Sequence, residues 1–117
     1  MDVKLVSRGR SVCYMTEIPV FDGIKARGRL WEHGNRISVQ FLRYIGNEAF
    51  GRYVISASSF EELEAYGRAL IEIARTLKEA YEKFGAPRKY FWYAGYSSSQ
   101  QVEEPLREEV VAQYVGG

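Results

Sequence analysis

Residues 24–45 read IKARGRLWEHGNRISVQFLRYI, and apolar and polar side chains alternate along both halves of this stretch. Alternation with a period of two is typical of β-strands, whose successive side chains lie on opposite faces of a sheet. Gly34-Asn35 favours a two-residue turn between the halves, because Gly accepts the positive φ that such a turn requires and Asn tolerates it. The stretch therefore predicts an antiparallel hairpin in which Trp31 pairs with Ser38.

This hairpin divides its side chains into two sets. The apolar set predicts the face that packs on the protein core. It contains Ile24, Ala26, Gly28, Leu30, Ile37, Val39 and Phe41. The polar set combines cations with aromatic rings, and it contains Lys25, Arg27, Arg29, Trp31, Arg36, Gln40 and Tyr44. A row of unpaired cations is too costly to bury, so we expect the second face to be accessible to a ligand.

Further strands are predicted on both sides of the hairpin. Short apolar runs separated by Gly, Pro and Asn indicate strands at 3–7, 11–18 and 50–57, beside those at 24–33 and 36–45. Short connections between consecutive strands favour antiparallel pairing. The run RKYFWY at 88–93 indicates one more strand, and its four consecutive aromatic residues must place rings on both faces.

A long amphipathic helix is predicted over residues 60–84. Ser59 and Glu62 have the spacing of a capping box at its start, and Gly85 favours its end. Apolar residues at three- and four-residue steps predict one stripe that covers the sheet. The stripe contains Leu63, Tyr66, Gly67, Leu70, Ile73, Ala74, Leu77, Tyr81 and Phe84. Because an interior Gly weakens a helix by about 1 kcal/mol, Gly67 indicates a close approach to a strand.

The last segment and the length complete the fold prediction. Residues 104–115 place Pro105 at a first helical position, with Leu106 and Val110 at helical spacing, which predicts a short C-terminal helix. A chain of 117 residues is long enough for one core. We predict an α+β fold in which a curled antiparallel sheet of four to five strands packs on one long amphipathic helix. Residues 1–96 form this domain, and 97–117 form a linker and a short helix or tail.

Positive charge is concentrated in the predicted strands. The net charge is only +1, but residues 1–59 hold nine Lys and Arg against five Asp and Glu, whereas residues 60–84 hold four against six. A ligand responds to the local charge that it meets. The single Cys13 excludes an internal disulfide, and no apolar run has the length of a signal-peptide core or a membrane span. These observations predict a cytoplasmic protein without membrane contact.

The basic, aromatic face predicts a platform for single-stranded DNA, with RNA as an alternative ligand. Arg and Lys side chains neutralise phosphates, and exposed rings stack on bases without reading their sequence. The predicted site contains Lys25, Arg27, Arg29, Trp31, Arg36, Gln40, Tyr44, Arg52, Tyr53, Arg88, Lys89, Tyr90 and Trp92. Of these, Trp31, Tyr44 and Trp92 are expected to stack on bases. The alternative interpretation is that the cations and the ring cover the solvated side of a half-exposed sheet.

No enzyme, cofactor or metal site is predicted. His33 beside Glu32 could act as a general base, but a single His at a hairpin tip is more often a turn residue, and a metal site would need a second His or a Cys nearby. A protein-interaction or assembly subunit is the main alternative, because Arg, Trp and Tyr also dominate interface hot spots. The terminal Gly116-Gly117 suggests a ubiquitin-like modifier as a further alternative, although ubiquitin-like folds place fewer strands before the helix.

The basic strand at 25–31, the hairpin, the capped helix and the RKYFWY run together resemble the ThermoDBP-type single-stranded DNA-binding proteins of hyperthermophilic archaea. The resemblance covers residues 1–96 and is one of pattern. It implies a thermophilic, non-catalytic domain with a basic, aromatic cleft for single strands and a dimer formed through a C-terminal zipper helix. In this chain only Leu106, Val110 and Tyr114 are in line for such a helix, which departs from a long zipper. A homodimer through the C-terminal segment is therefore an expectation of the resemblance.

Overall fold

One open antiparallel sheet packs against one long helix, which confirms the predicted α+β fold. The computed structural model describes residues 2–8, 11–31, 36–46, 48–52, 55–87 and 101–110. Its elements are β1 (Lys4–Arg8), β2 (Ser11–Phe21), β3 (Ile24–Trp31), β4 (Ile37–Ile45), β5 (Glu48–Arg52), α1 (Phe60–Phe84) and β6 (Gln101–Pro105). The strand order is β5-β4-β3-β2-β1-β6, so the first five strands are neighbours both in sequence and in space.

The predicted turn at Asp22-Gly23 is present, whereas Pro19, which was predicted to follow the end of a strand at residue 18, lies inside β2. Asp22 and Gly23 join β2 to β3 with positive φ angles of 44° and 77°, as a two-residue hairpin turn requires. β5 ends at Arg52, and residues 55–57, which were predicted to continue this strand, are not in a strand. Between β4 and β5 the described turn residue is Gly46, which has a positive φ of 62°.

The register between β3 and β4 differs from the prediction by two residues. Arg27 pairs with Gln40 and Arg29 pairs with Ser38, whereas the predicted turn would have paired Trp31 with Ser38. The N–H of Trp31 donates to the carbonyl of Arg36 at 2.9 Å, so residues 32–35 connect the strands where a two-residue turn was expected. Gly34-Asn35 lies outside the described residues. A shift of two residues keeps every side chain on its predicted face.

Helix α1 has the predicted bounds. The Ser59 hydroxyl accepts from the Glu62 N–H at 3.1 Å, and the Glu62 carboxylate accepts from the Ser58 N–H at 2.8 Å, so the two side chains satisfy donors at the helix start. At the other end Gly85 has φ 81°, and its N–H donates to the Tyr81 carbonyl. Along the described chain, α1 included, we find no helix with an apolar stretch long enough to cross a bilayer.

The core lies between α1 and the middle of the sheet, chiefly strands β2 and β3. Tyr14, Leu5, Ile73, Leu77 and Val12 are among its largest fully buried side chains. The rings of Phe41 and Tyr66 meet edge to face, with centroids 4.8 Å apart. The predicted core face is present, except that Ile37 near the start of β4 is exposed.

A glycine does bring the helix close to the sheet, but it belongs to the strand. A Cβ at Gly28 would overlap the Ile73 side chain, whereas a Cβ at Gly67 would meet nothing within 4 Å. The prediction for Gly67 is therefore wrong. Because Gly28 has no side chain, Ile73 can rest directly on the β3 backbone, which fixes the helix over this strand.

The buried stripe of α1 lies to one side of the predicted stripe. It contains Ala65, Tyr66, Ala69, Ile73, Leu77 and Ala80. Leu63 and Tyr81, which were predicted to cover the sheet, are exposed. The alanines allow the helix axis to approach the sheet, whereas Leu63 and Tyr81 of the predicted stripe remain on the helix flank. Amphipathic spacing alone could not distinguish these two stripes.

The C-terminal segment contributes a strand before its helix. Residues Gln101–Pro105 pair with β1, so Pro105 ends a strand, and its predicted position at the start of a helix is wrong. Residues 108–110 are helical, and Leu106 and Val110 pack against the core. The sheet thus has six strands where four to five were predicted. The predicted strand at 88–93 lies outside the described residues.

Candidate functional site

The sheet face opposite α1, hereafter the open face, carries the cationic row of β3. Ile24, Ala26 and Leu30 point to the core, so the intervening residues of β3 point away from it. Strand β4 adds side chains on the same side. The predicted residues that the structure brings together here are Lys25, Arg27, Arg29, Trp31, Arg36, Gln40 and Tyr44.

Trp31 is the best-positioned ring of the open face. Its Nε1–H donates to the Ser38 hydroxyl at 2.9 Å, a diagonal contact between β3 and β4. The guanidinium carbons of Arg29 and Arg36 lie 5.8 Å and 5.1 Å from the ring, within the range of a cation–π interaction. The half-buried indole is therefore held in place and bordered by two positive charges.

A second aromatic–cation group lies toward the other end of β3. The Lys25 ammonium is 5.8 Å from the Tyr44 ring centroid. Arg27 donates from Nη2 to the Glu17 carboxylate at 3.2 Å and to the Tyr44 hydroxyl at 3.5 Å. Its Nε is buried and has no hydrogen-bond partner among the described residues. Arg27 thus positions Tyr44 and Glu17, and its charge is partly neutralised within the protein.

The structure extends the open face across β1, β2 and β6, which the sequence analysis did not assign to it. A pocket of about 530 Å³ opens there, with Arg27, Arg29 and Trp31 on one side. Its remaining lining residues are Val6, Arg8, Ser11, Cys13, Met15 and Glu103. Alternation in β2 would have placed Cys13 and Met15 on one face, but the sequence did not show which face, since β2 is buried on both sides.

Positive charge exceeds negative charge on the described part of the open face. Its cations are Lys4, Arg8, Lys25, Arg27, Arg29 and Arg36, and its carboxylates are Glu17 and Glu103. Lys4 pairs with Glu103 at 3.5 Å, and Arg27 pairs with Glu17. Within the described ranges, the other four cations have no carboxylate partner. Among the described residues, no ion pair therefore neutralises these four charges.

Cys13 lies opposite Trp31 in the β2–β3 register and is buried beneath the pocket. Burial raises the pKa of its thiol from 9.0 to about 11, although the positive charges of Arg29 and Arg27 act in the opposite direction. A neutral thiol is a poor nucleophile. Cys13 is buried, but on the side of the sheet away from α1.

The remaining predicted site residues are only partly accounted for. Arg52 ends β5 and pairs with Phe41, which belongs to the core-facing set. Tyr53, Arg88, Lys89, Tyr90 and Trp92 lie outside the described residues. Gln40 extends over Gly51 of the neighbouring strand, where a Cβ would overlap the Gln40 amide. The site that can be built from described residues is therefore centred on β3 and its two neighbours.

A metal site is not found in this part of the chain, where no three His, Cys, Asp or Glu side chains are grouped as ligands. Comparison with protein-family models, curated proteins and solved structures finds no match for this sequence or fold. The resemblance to ThermoDBP-type proteins accordingly stays a prediction.

Proposed function

We propose that this chain binds single-stranded DNA across the open face, without catalysis and largely without sequence preference. The observation that carries the proposal is the position of Trp31 between Arg29 and Arg36. A held ring supplies a stacking surface for a base, and the two flanking guanidinium groups supply positive charge for the adjacent phosphates.

The dimensions of the face favour an extended ligand. From Lys25 to Trp31 the cationic row runs along six residue steps of β3, or about 20 Å. Tyr44 with Lys25 at one end repeats the ring-and-cation arrangement of Trp31 at the other. Two such groups along one strand suit a flexible polyanion whose bases can turn individually toward a ring. The bases of a duplex are stacked on one another and cannot turn toward Trp31 or Tyr44.

Low sequence preference follows from the chemistry of the residues. Arg and Lys contacts to phosphate carry no sequence information, and ring stacking tolerates every base. Base reading would require directed hydrogen-bonding groups, and Trp31 already uses its N–H on Ser38, as Arg27 uses Nη2 on Glu17. The face thus offers general affinity for single strands.

Fluorescence anisotropy tests the proposal directly. A labelled mixed-sequence oligonucleotide would be titrated as single-stranded DNA, as duplex DNA and as RNA, each at two salt concentrations. We expect tight binding of the single strand, weak binding of the duplex, and affinity that falls steeply as salt rises. If none of the three nucleic acids binds at low salt, the proposal is refuted. Preferential binding of RNA would identify RNA, and not DNA, as the ligand.

A matched variant ties the binding to the open face. Arg43 is exposed on β4 but pairs with Ile24, so it belongs to the opposite face of the sheet. Arg43→Ala removes the same charge as Arg29→Ala without touching the proposed site. Equal losses of affinity in both variants would indicate attraction by overall charge and would remove the open face from the explanation.

A further inference from the structure

Helix α1 has a second apolar stripe that the sheet does not cover. Phe60, Leu63, Ile71 and Tyr81 are exposed to 88%, 52%, 54% and 47%. At 100° per residue these positions fall beside the buried stripe, within a sector about 80° wide. Two small residues, Gly67 and Ala74, lie between them along the same sector. We call these six residues the outer stripe.

The outer stripe is self-complementary when two copies of α1 run antiparallel. Reversal about the midpoint between residues 70 and 71 places Phe60 opposite Tyr81, an aromatic ring against an aromatic ring. The same operation places Gly67 opposite Ala74, a small residue against a small residue, which allows two helices to approach closely. A two-fold dimer requires this reciprocity, because residue i of one copy must meet residue j of the other in both directions.

The remaining positions obey the same two-fold relation. Leu70 and Ile71 meet at the axis, and Leu63 lies opposite Lys78, whose methylene groups can cover an apolar neighbour. Glu64 at the stripe's border comes within one residue of Lys78 of the other copy, which places unlike charges side by side, although Glu64 pairs with Arg68 and Lys78 with Glu82 within each helix. A parallel arrangement would place Glu64 beside Glu64, and it would also align the two helix dipoles unfavourably.

These observations favour a second copy of the chain as the occupant, and we propose that α1 forms an antiparallel two-fold dimer through its outer stripe. Two of the C-terminal residues expected to dimerise, Leu106 and Val110, pack on the chain's own core. Because α1 and the open face lie on opposite sides of the sheet, the dimer leaves both open faces exposed. The inference therefore does not depend on what the open face binds.

Single-cysteine variants test the geometry of this dimer. Ile71→Cys places a thiol next to the two-fold axis, and mild oxidation should convert most of the protein to a disulfide-linked dimer. Phe60→Cys should remain uncrosslinked by itself, because two copies of residue 60 are about 30 Å apart in an antiparallel pair. Mixing Phe60→Cys with Tyr81→Cys should restore crosslinking. Glu72→Cys, on the outward polar side of α1, is the matched control, and the parent chain controls for the buried Cys13.

Light scattering and sedimentation test whether the dimer exists in solution. The parent chain should have twice the monomer mass, and Ile71→Glu should be monomeric with an unchanged helical circular dichroism spectrum. Glu72→Lys, which leaves the outer stripe intact, should remain dimeric. A parent chain that stays monomeric up to about 1 mM would overturn the proposal. Crosslinking of Phe60→Cys with itself would overturn the antiparallel arrangement.

Discussion

The two faces of the sheet are built from the same strands, but one packs on helix α1 and the other presents cations and aromatic rings. Along β3, Ala26, Gly28 and Leu30 meet the helix, while Arg27 and Arg29 alternate with them on the open face. The core-facing residues are small or apolar and closely packed, whereas the open face keeps cations, Arg29 among them, that have no carboxylate partner within the described residues. Stability and binding can therefore be changed separately by residues that are adjacent in sequence.

The largest effect is expected from the contact between β3 and α1. Ile73→Ala should lower the free energy of unfolding by about 2 to 5 kcal/mol, because it leaves a cavity in the core. Gly28→Ala should lower it by about 1 to 3 kcal/mol, because the new Cβ collides with Ile73. Urea denaturation followed by circular dichroism measures both losses.

The double variant checks the physical cause of those losses. If Gly28→Ala acts by collision with Ile73, then Gly28→Ala combined with Ile73→Ala should cost less than the sum of the single variants. Additive costs would mean that Gly28 matters for a backbone reason and not for close approach. None of these changes should weaken binding at the open face while the protein remains folded.

Substitutions on the open face should change the affinity for DNA and hardly change the free energy of unfolding. Trp31→Ala should reduce the affinity for single-stranded DNA by about 1 to 3 kcal/mol if the ring stacks on a base. Trp31→Phe keeps a ring but removes the hydrogen bond to Ser38, so it should retain most of the affinity. Anisotropy titrations at fixed salt compare the three proteins. An Ala variant that binds as tightly as the parent would place Trp31 outside the site.

The cations of the open face should contribute unequally to the salt dependence of DNA binding. Arg29→Ala and Arg36→Ala should each lower the slope of log affinity against log salt by about 0.7 per lost phosphate contact. Arg27 is paired with Glu17, so Arg27→Ala should alter the slope less and should also lower stability by leaving that carboxylate without its partner. Titrations at four or more salt concentrations give the slopes, with Arg43→Ala as the control. Equal slopes for all variants would contradict this division.

The smallest effect is expected from Cys13, which lines the pocket of the open face but is buried like a core residue. Its folded-state pKa of about 11 exceeds the ordinary value of 9.0, so the thiol favours the folded state at low pH. This contribution is complete below about pH 9 and is lost as pH rises through 11. We expect alkylation by iodoacetamide at pH 8 to be slow in the native protein and rapid in urea. Rapid native alkylation would show that the thiol is accessible.

Local patterns allowed much of this fold to be predicted, and the errors arose where distant parts of the chain meet. Capping residues and apolar spacing defined α1, and alternation assigned the faces of β3. The register error came from the connection between Trp31 and Arg36, which has four residues where the Gly34-Asn35 turn predicted two. β6 was missed because its pairing with β1 is non-local. The β1–β2 part of the site was missed because β2 is buried on both sides of the sheet, so its sequence did not show which side Cys13 and Met15 take.

The pairing of Lys4 with Pro105 joins the beginning of the described chain to its end. During synthesis, β1 through β5 and α1 emerge well before β6, so the five-stranded sheet can form while its last strand is still being made. For that interval β1 is an edge, and its free N–H and C=O groups can pair with another nascent chain. Slow translation or truncation before Gln101 would therefore prolong exposure to aggregation, although every described residue of the helix-packed core except Leu106 and Val110 is already present.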